Sequence, residues 1–243
     1  MDAFWSHWIW PLLTAITGLV FTYLLIRQYL ERRKPQQLAW AAGMFLYGVS
    51  ACIEAYSEFA QSWNPWVYKV YYVMAAVLVL YLGLGTVYLI FKRRIWGHLF
   101  LAYALTLTTI FLIASLTSSV NMDKLVPGIT VGGAAMDTTV RMFSFACTIP
   151  GTLALLGGAI YSVILFAAKR EYAYRAWANV LIAGGTLVIA GAGSMARAGQ
   201  SVGLYPAEMV GAALMLWGFM KAGSLRQGAL ARAKQAEAPS VEV

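Results

Sequence analysis

Glu54 and Glu58 stand one helical turn apart inside an apolar stretch, residues 37–60, that is long enough to cross a bilayer. A span takes about 20 mostly apolar residues, and a carboxylate within one is costly unless it is paired or reaches water. Tyr47 and Ser50 share three- and four-residue spacing with the two acids, so all four fall on one helix face. Counted at about 1.5 Å per residue from the inner end of this stretch, Glu54 lies in the outer third of the membrane and Glu58 near its surface. Two carboxylates a turn apart repel, so a cation between them, or a proton on one, is expected to relieve the charge.

Lys69, Arg141 and Arg197 fall at matching depth on other helices, and Asp137 and Glu208 complete a ring of charge. Such a ring predicts an outward-facing polar cavity that binds a small polar or amphiphilic ligand, or passes an ion or proton. The same residues could instead form ion pairs that close the outer end of a bundle, because charges near helix ends readily snorkel to water. Tyr72, beside Tyr68 and Tyr71, either lines this cavity or belongs to a packed aromatic interface. The residues expected to carry ligand binding are therefore Glu54, Arg197, Glu58, Lys69, Arg141, Tyr47 and Tyr72.

Other chemistries find no footing. His7 and His98 fall near opposite membrane faces, which disfavours a haem held by two histidines. No His, Cys and carboxylate cluster suggests a metal hydrolase, and no phosphate-binding glycine loop or nucleophile motif occurs in a suitable setting. Lys221 sits at the inner end of the last span, and no lysine occupies its middle, so a retinal Schiff base is not supported. Cys52 and Cys147 lie within apolar spans and read as small core residues. No catalytic residue, metal or cofactor is expected.

The elements that must position these side chains follow from composition. The chain has 243 residues, of which 60% are hydrophobic and 12% charged, with a mean hydropathy of +0.67. Soluble domains carry about 25% charged residues, so this is an all-α polytopic membrane protein with no room for a soluble domain. Seven spans are expected, at about 8–30, 37–60, 66–91, 96–117, 141–168, 176–198 and 207–223, with a cytoplasmic tail over 224–243. The first span reads as a retained helix, since no basic segment or cleavage site accompanies it. Residues 118–140 form a longer connection that either lies on the membrane surface or folds back over the bundle. Glycines in helices three, five and six suggest close helix contact, and the sixth reads as the most central helix. Pro150 predicts a kink in the fifth.

The net charge of +8 does not signal nucleic acid, because the basic residues gather at span ends. Fourteen of the 18 Lys and Arg fall on one side, which places the amino terminus outside and the carboxy terminus inside. Trp5, Trp8, Trp10, Trp63 and Trp66 fit an outer aromatic belt, and Trp40, Trp96 and Trp177 an inner one.

Tyr71-Tyr72, Leu82-Gly83-Leu84-Gly85-Thr86-Val87-Tyr88-Leu89, and Gly191-Ala192-Gly193-Ser194 with Arg197 are similar to bacterial seven-span membrane proteins. The layout also resembles the heptahelical sensor regions of histidine kinases, without an output domain. The resemblance implies a multi-pass inner-membrane fold and no particular chemistry. The function expected is non-enzymatic binding or transport of a small polar or amphiphilic ligand. The alternative is an accessory or anchoring subunit of a larger membrane complex. The expected partners are the lipid bilayer, a second membrane protein or copy of the chain, and a small-molecule or lipid ligand.

Overall fold

In the computed structural model, residues 2–125, 133–167, 177, 180–182, 184–189, 191–192 and 204–237 are described. They are all-α: α1 (Asp2–Arg32), α2 (Pro35–Ala60), α3 (Pro65–Ile90), α4 (Arg94–Thr117), α5 (Thr138–Ala167), α6 (Val180–Ile189) and α7 (Leu204–Glu237). Two short 3-10 turns, Met122–Lys124 and Gly133–Ala135, lie between α4 and α5. Five helices, α1 to α5, are long and apolar enough to cross a membrane. The chain is thus a helical bundle of membrane-protein character.

Helix boundaries follow local chemistry. Pro35 and Pro65 open α2 and α3, where a missing N–H costs nothing. The Asn64 side chain caps α3 by accepting from the backbone N–H of Trp66 at 2.9 Å. Gln61, in the left-handed region at φ 51°, ends α2, and its Nε2 donates to the Glu58 carbonyl at 2.6 Å.

Among the described residues α3 is the central helix, with 61% of its most apolar window buried against 22% for α4. It is hydrophobic nearly all round, as a helix enclosed by neighbours must be, and it packs against α2, α4 and α5. The expectation that the glycine-rich sixth span is the most central falls largely outside the described residues. Glycine pairs set the closest seams. A Cβ on Gly18 of α1 would lie 2.9 Å from the Gly48 Cα of α2, and one on Gly83 of α3 would lie 2.8 Å from the Gly151 Cα of α5. Gly185 and Gly211 make the corresponding close approach between α6 and α7. Ala190, Ser194 and Ala198 repeat small side chains every four residues on the sixth span, a spacing that brings helices close, and all three lie outside the described residues.

Helix α5 continues through Pro150. Proline removes the N–H that would bond the carbonyl four residues back; here that carbonyl, on Ala146, accepts from the Tyr103 hydroxyl of α4 at 2.8 Å. A neighbouring helix thus satisfies the freed group, as a lipid setting demands.

The described parts of the connection between α4 and α5, 118–125 and 133–137, pack back onto the bundle. Val120 pairs with Met136, the Asn121 N–H donates to the Ala135 carbonyl at 2.9 Å, and Leu125, Ala135 and Met136 join a core cluster with Tyr68, Tyr72 and Phe111. A second cluster, around Phe21, Met44, Tyr47, Leu82 and Met215, joins α1, α2, α3 and α7.

Two tryptophan and cysteine expectations change. Trp63 is buried against Tyr68 and Tyr71, because the turn after α2 tucks its ring under α3 instead of presenting it outward. Cys147 is buried, but Cys52 is exposed, on the helix face that also presents Phe45, Tyr56 and Phe59 outward.

Candidate functional site

Tyr47, Ser50, Glu54 and Glu58 all lie on the buried face of α2. Packing against α1 and α3 dictates this, because the opposite face carries Phe45, Cys52, Tyr56 and Phe59 and is the one left for lipid. The two acids have separate tyrosine partners. The Tyr71 hydroxyl of α3 donates to Oε1 of Glu54, and the Tyr205 hydroxyl of α7 donates to Oε1 of Glu58 at 2.8 Å. Hydrogen bonds to a buried carboxyl are the ones worth most, because an unmade one leaves the full desolvation cost.

Glu54, Tyr47 and Tyr72 line one partly open cavity of about 190 Å³. It lies where the two core clusters meet, among α2, α3, α5, α6 and α7. Glu208, at the start of α7, reaches the same cavity, and its backbone carbonyl accepts from the Tyr47 hydroxyl at 2.9 Å. From α5 come Ser144, Thr148 and Thr152, one polar side chain per turn. The Tyr72 ring is held by stacking on Tyr68, with centroids 6.2 Å apart, and edge-on by Phe111 at 5.7 Å.

The donors around this space are largely committed. Tyr71 serves Glu54, Tyr47 serves the Glu208 carbonyl, Ser50 serves the Tyr47 carbonyl at 2.9 Å, and Thr148 serves the Ser144 carbonyl at 2.9 Å. What the wall offers beyond these is the acceptor oxygens of Glu54 and Glu208, with the hydroxyls of Ser144 and Thr152 beside them. An occupant that carries hydrogen-bond donors matches such a wall. The volume matters too. Drug-sized ligands take roughly 300–1,000 Å³, whereas a cavity of about 150 Å³ admits benzene, so this space suits a small molecule or one part of a larger one.

The remaining expected site residues are not brought to this cavity. Glu58 is buried one turn beyond it, held by Tyr205. Lys69 is buried, but its Nζ donates to the Leu116 carbonyl of α4 at 3.0 Å and lies 4.5 Å from the Trp66 ring centroid. In return the Ser115 hydroxyl donates to the Lys69 carbonyl at 3.1 Å. A cation on the last carbonyls of a helix meets the negative end of its dipole, so Lys69 acts as a carboxy-terminal cap for α4. Arg141 is exposed in the first turn of α5, and no ion pair joins it to a carboxylate among the described residues. Asp137 is exposed and accepts from the Ser119 hydroxyl at 3.3 Å. Arg197 lies outside the described residues.

The cavity also recruits residues that the charge ring did not name: Tyr71, Ser144, Thr148 and Thr152. A signal for the last three was present, since Ser144, Thr148, Thr152, Leu155, Ala159 and Ser162 repeat at four- and three-residue spacing along one face of α5. Among the described residues no group of three or more His, Cys, Asp and Glu could hold a metal ion. No family model, curated protein or solved structure matches the chain.

Proposed function

We propose that this is a seven-span membrane protein, amino terminus outside, that binds or transports a small polar or amphiphilic ligand without chemically changing it. One observation carries the reading. A bundle interior that could have been filled with apolar side chains instead keeps a cavity of about 190 Å³ with the Glu54 and Glu208 side chains on its wall. An ionisable residue within a membrane span is costly enough that a functional role is its default reading. The orientation rests on the Lys and Arg asymmetry, which puts the Glu54 end of the cavity toward the outside. In this reading Arg197 supplies countercharge to the carboxyls, whereas Lys69 and Arg141 support the fold around the site.

A native mass spectrum of the protein, extracted gently from its own membrane, tests the proposal. A reproducible small added mass that disappears in Glu54→Gln or Arg197→Ala, with the bundle still folded, supports a ligand at this site. If both variants simply fail to fold, the charges are structural and the proposal is lost. A second polypeptide in fixed ratio, with no small added mass, favours the accessory-subunit alternative.

A further inference from the structure

The cavity at Glu54 has a second chamber below it. A space of about 100 Å³ lies toward the other end of the bundle, bounded by Phe21, Trp40, Leu89, Ala159, Ser162 and Phe219. Among the described residues five form walls of both chambers: Met44, Leu82, Leu155, Thr186 and Met215. They make a belt between the two, and two of the five are methionines. Methionine is unbranched and has three rotatable bonds, so such a belt can yield to an inserted chain at little cost. Along α5 the two chambers run from Ser144 to Ser162, which is 18 residues or about 27 Å at 1.5 Å each.

The chambers differ in chemistry. The upper one presents the carboxyls of Glu54 and Glu208. Among the described residues no charged side chain lines the lower one. Its threonine hydroxyls are spent on their own helices: Thr86 donates to the Leu82 carbonyl at 3.3 Å and Thr186 to the Ile182 carbonyl at 2.9 Å. A hydrated ion or sugar entering it would shed water and meet only the Trp40 indole and the Ser162 hydroxyl among the described walls, and each polar group left unmet costs several kcal/mol. A hydrocarbon chain would lose nothing there and would gain burial. The volume narrows the choice further, being smaller than the roughly 150 Å³ that admits an aromatic ring. An unbranched chain, with its narrow cross-section, makes the least demand on such a space.

We infer that the ligand of the proposed site is a single-chain amphiphile, with a donor-bearing head held by Glu54 and Glu208 and a tail threaded past the Met44–Met215 belt into the lower chamber. This deepens the binding reading above and rests on it. The test uses the full chain in phospholipid nanodiscs and a series of straight-chain primary alcohols, each with a photoreactive diazirine at the tail end. After irradiation, labelled residues are located by peptide mass spectrometry.

Short probes are expected to label the upper chamber at Thr148 and Thr152, and longer ones the lower chamber at Leu89, Ser162 and Phe219. An excess of the same alcohol without the diazirine should remove both sets of labels. Ala159→Phe, which fills the lower chamber, should reduce labelling there at least tenfold and leave the upper label in place. Ser162→Leu provides a second filling variant should Ala159→Phe fail to fold. Upper labelling at every chain length, with none below the belt, overturns the inference while leaving the binding reading intact. Labelling that excess alcohol does not reduce is bulk-lipid partition and also overturns it. No specific label in either chamber overturns the inference, and a native mass spectrum without a small added mass would then remove the binding reading as well.

Discussion

Gly151 and Gly157 sit on the same helix, and the same change at each should have opposite effects. A Cβ at position 151 would lie 2.6 Å from the Val79 carbonyl oxygen and 2.8 Å from the Leu80 nitrogen. Ordinary contact begins at 3.4 Å, and both neighbours are backbone atoms of α3 that cannot rotate away. Relief requires α5 to withdraw by 3.4 minus 2.6, about 0.8 Å. A gap of that size forfeits a quarter to a half of the dispersion well for atoms along the seam, and overpacking of this kind costs about 1–3 kcal/mol. At position 157 a Cβ meets nothing within 4 Å, so the exchange only improves helix propensity, by up to about 1 kcal/mol. The propensity gain is common to both positions in α5, so Gly151→Ala should be about 1–3 kcal/mol less stable than Gly157→Ala. Circular dichroism during titration of the detergent-solubilised protein with sodium dodecyl sulfate measures the difference. Because Thr148 and Thr152 flank Gly151 on the cavity wall, Gly151→Ala should also lose the small added mass in the native spectrum, whereas Gly157→Ala keeps it. Equal stability of the two variants would refute the close α3–α5 seam and the wall geometry built on it.

Three further outcomes follow from single contacts. Tyr103→Phe should cost about 1 kcal/mol, since it orphans the Ala146 carbonyl; in a Pro150→Ala background the restored N–H takes that carbonyl and the cost should vanish. An equal cost in both backgrounds on the same titration would show that Tyr103 does not serve the proline gap. A double-mutant cycle of Tyr71→Phe with Glu54→Gln should give a coupling energy of about 0.6–1.7 kcal/mol, from the average to the largest value measured for hydrogen bonds within membranes; additive effects would separate the two residues. Lys69→Met should destabilise the protein by about 1 kcal/mol through loss of the α4 cap, and should leave the ligand mass in the native spectrum unchanged. Loss of that mass at full stability would return Lys69 to the binding site.

How much of this was legible depends on which interactions leave a periodic trace. Apolar runs of span length are independent of partners, so the first five spans could be read directly from hydropathy. The α2 face could be read as well, because Tyr47, Ser50, Glu54 and Glu58 repeat at helical spacing. The cation assignments rested on depth alone, and depth does not fix azimuth. Lys69 shares the level of the acids yet points across α3 toward the end of α4, a direction that only the packing of α3 between α2 and α4 decides. The partners that do reach the acids are tyrosines on two other helices, Tyr71 and Tyr205. Neither could be matched to its acid from spacing, because the matching is a property of helix order around the bundle.

The same limit explains the cavity. Its α5 wall leaves a stripe in the sequence, but a stripe of Ser, Thr and Ala reads equally as a close helix seam. What separates the two is the opposing surface. At Gly151 the partner is the α3 backbone and the helices touch; one residue on, at Thr152, and one turn either side of it, at Thr148 and Leu155, the helices enclose space. Contact and cavity thus alternate along one helix, with the glycine holding the two helices at fixed distance and the hydroxyl-bearing residues facing the gap so defined. A site of this kind is held open by its seams. That is why a methyl group added at a glycine outside the cavity should affect occupancy as well as stability.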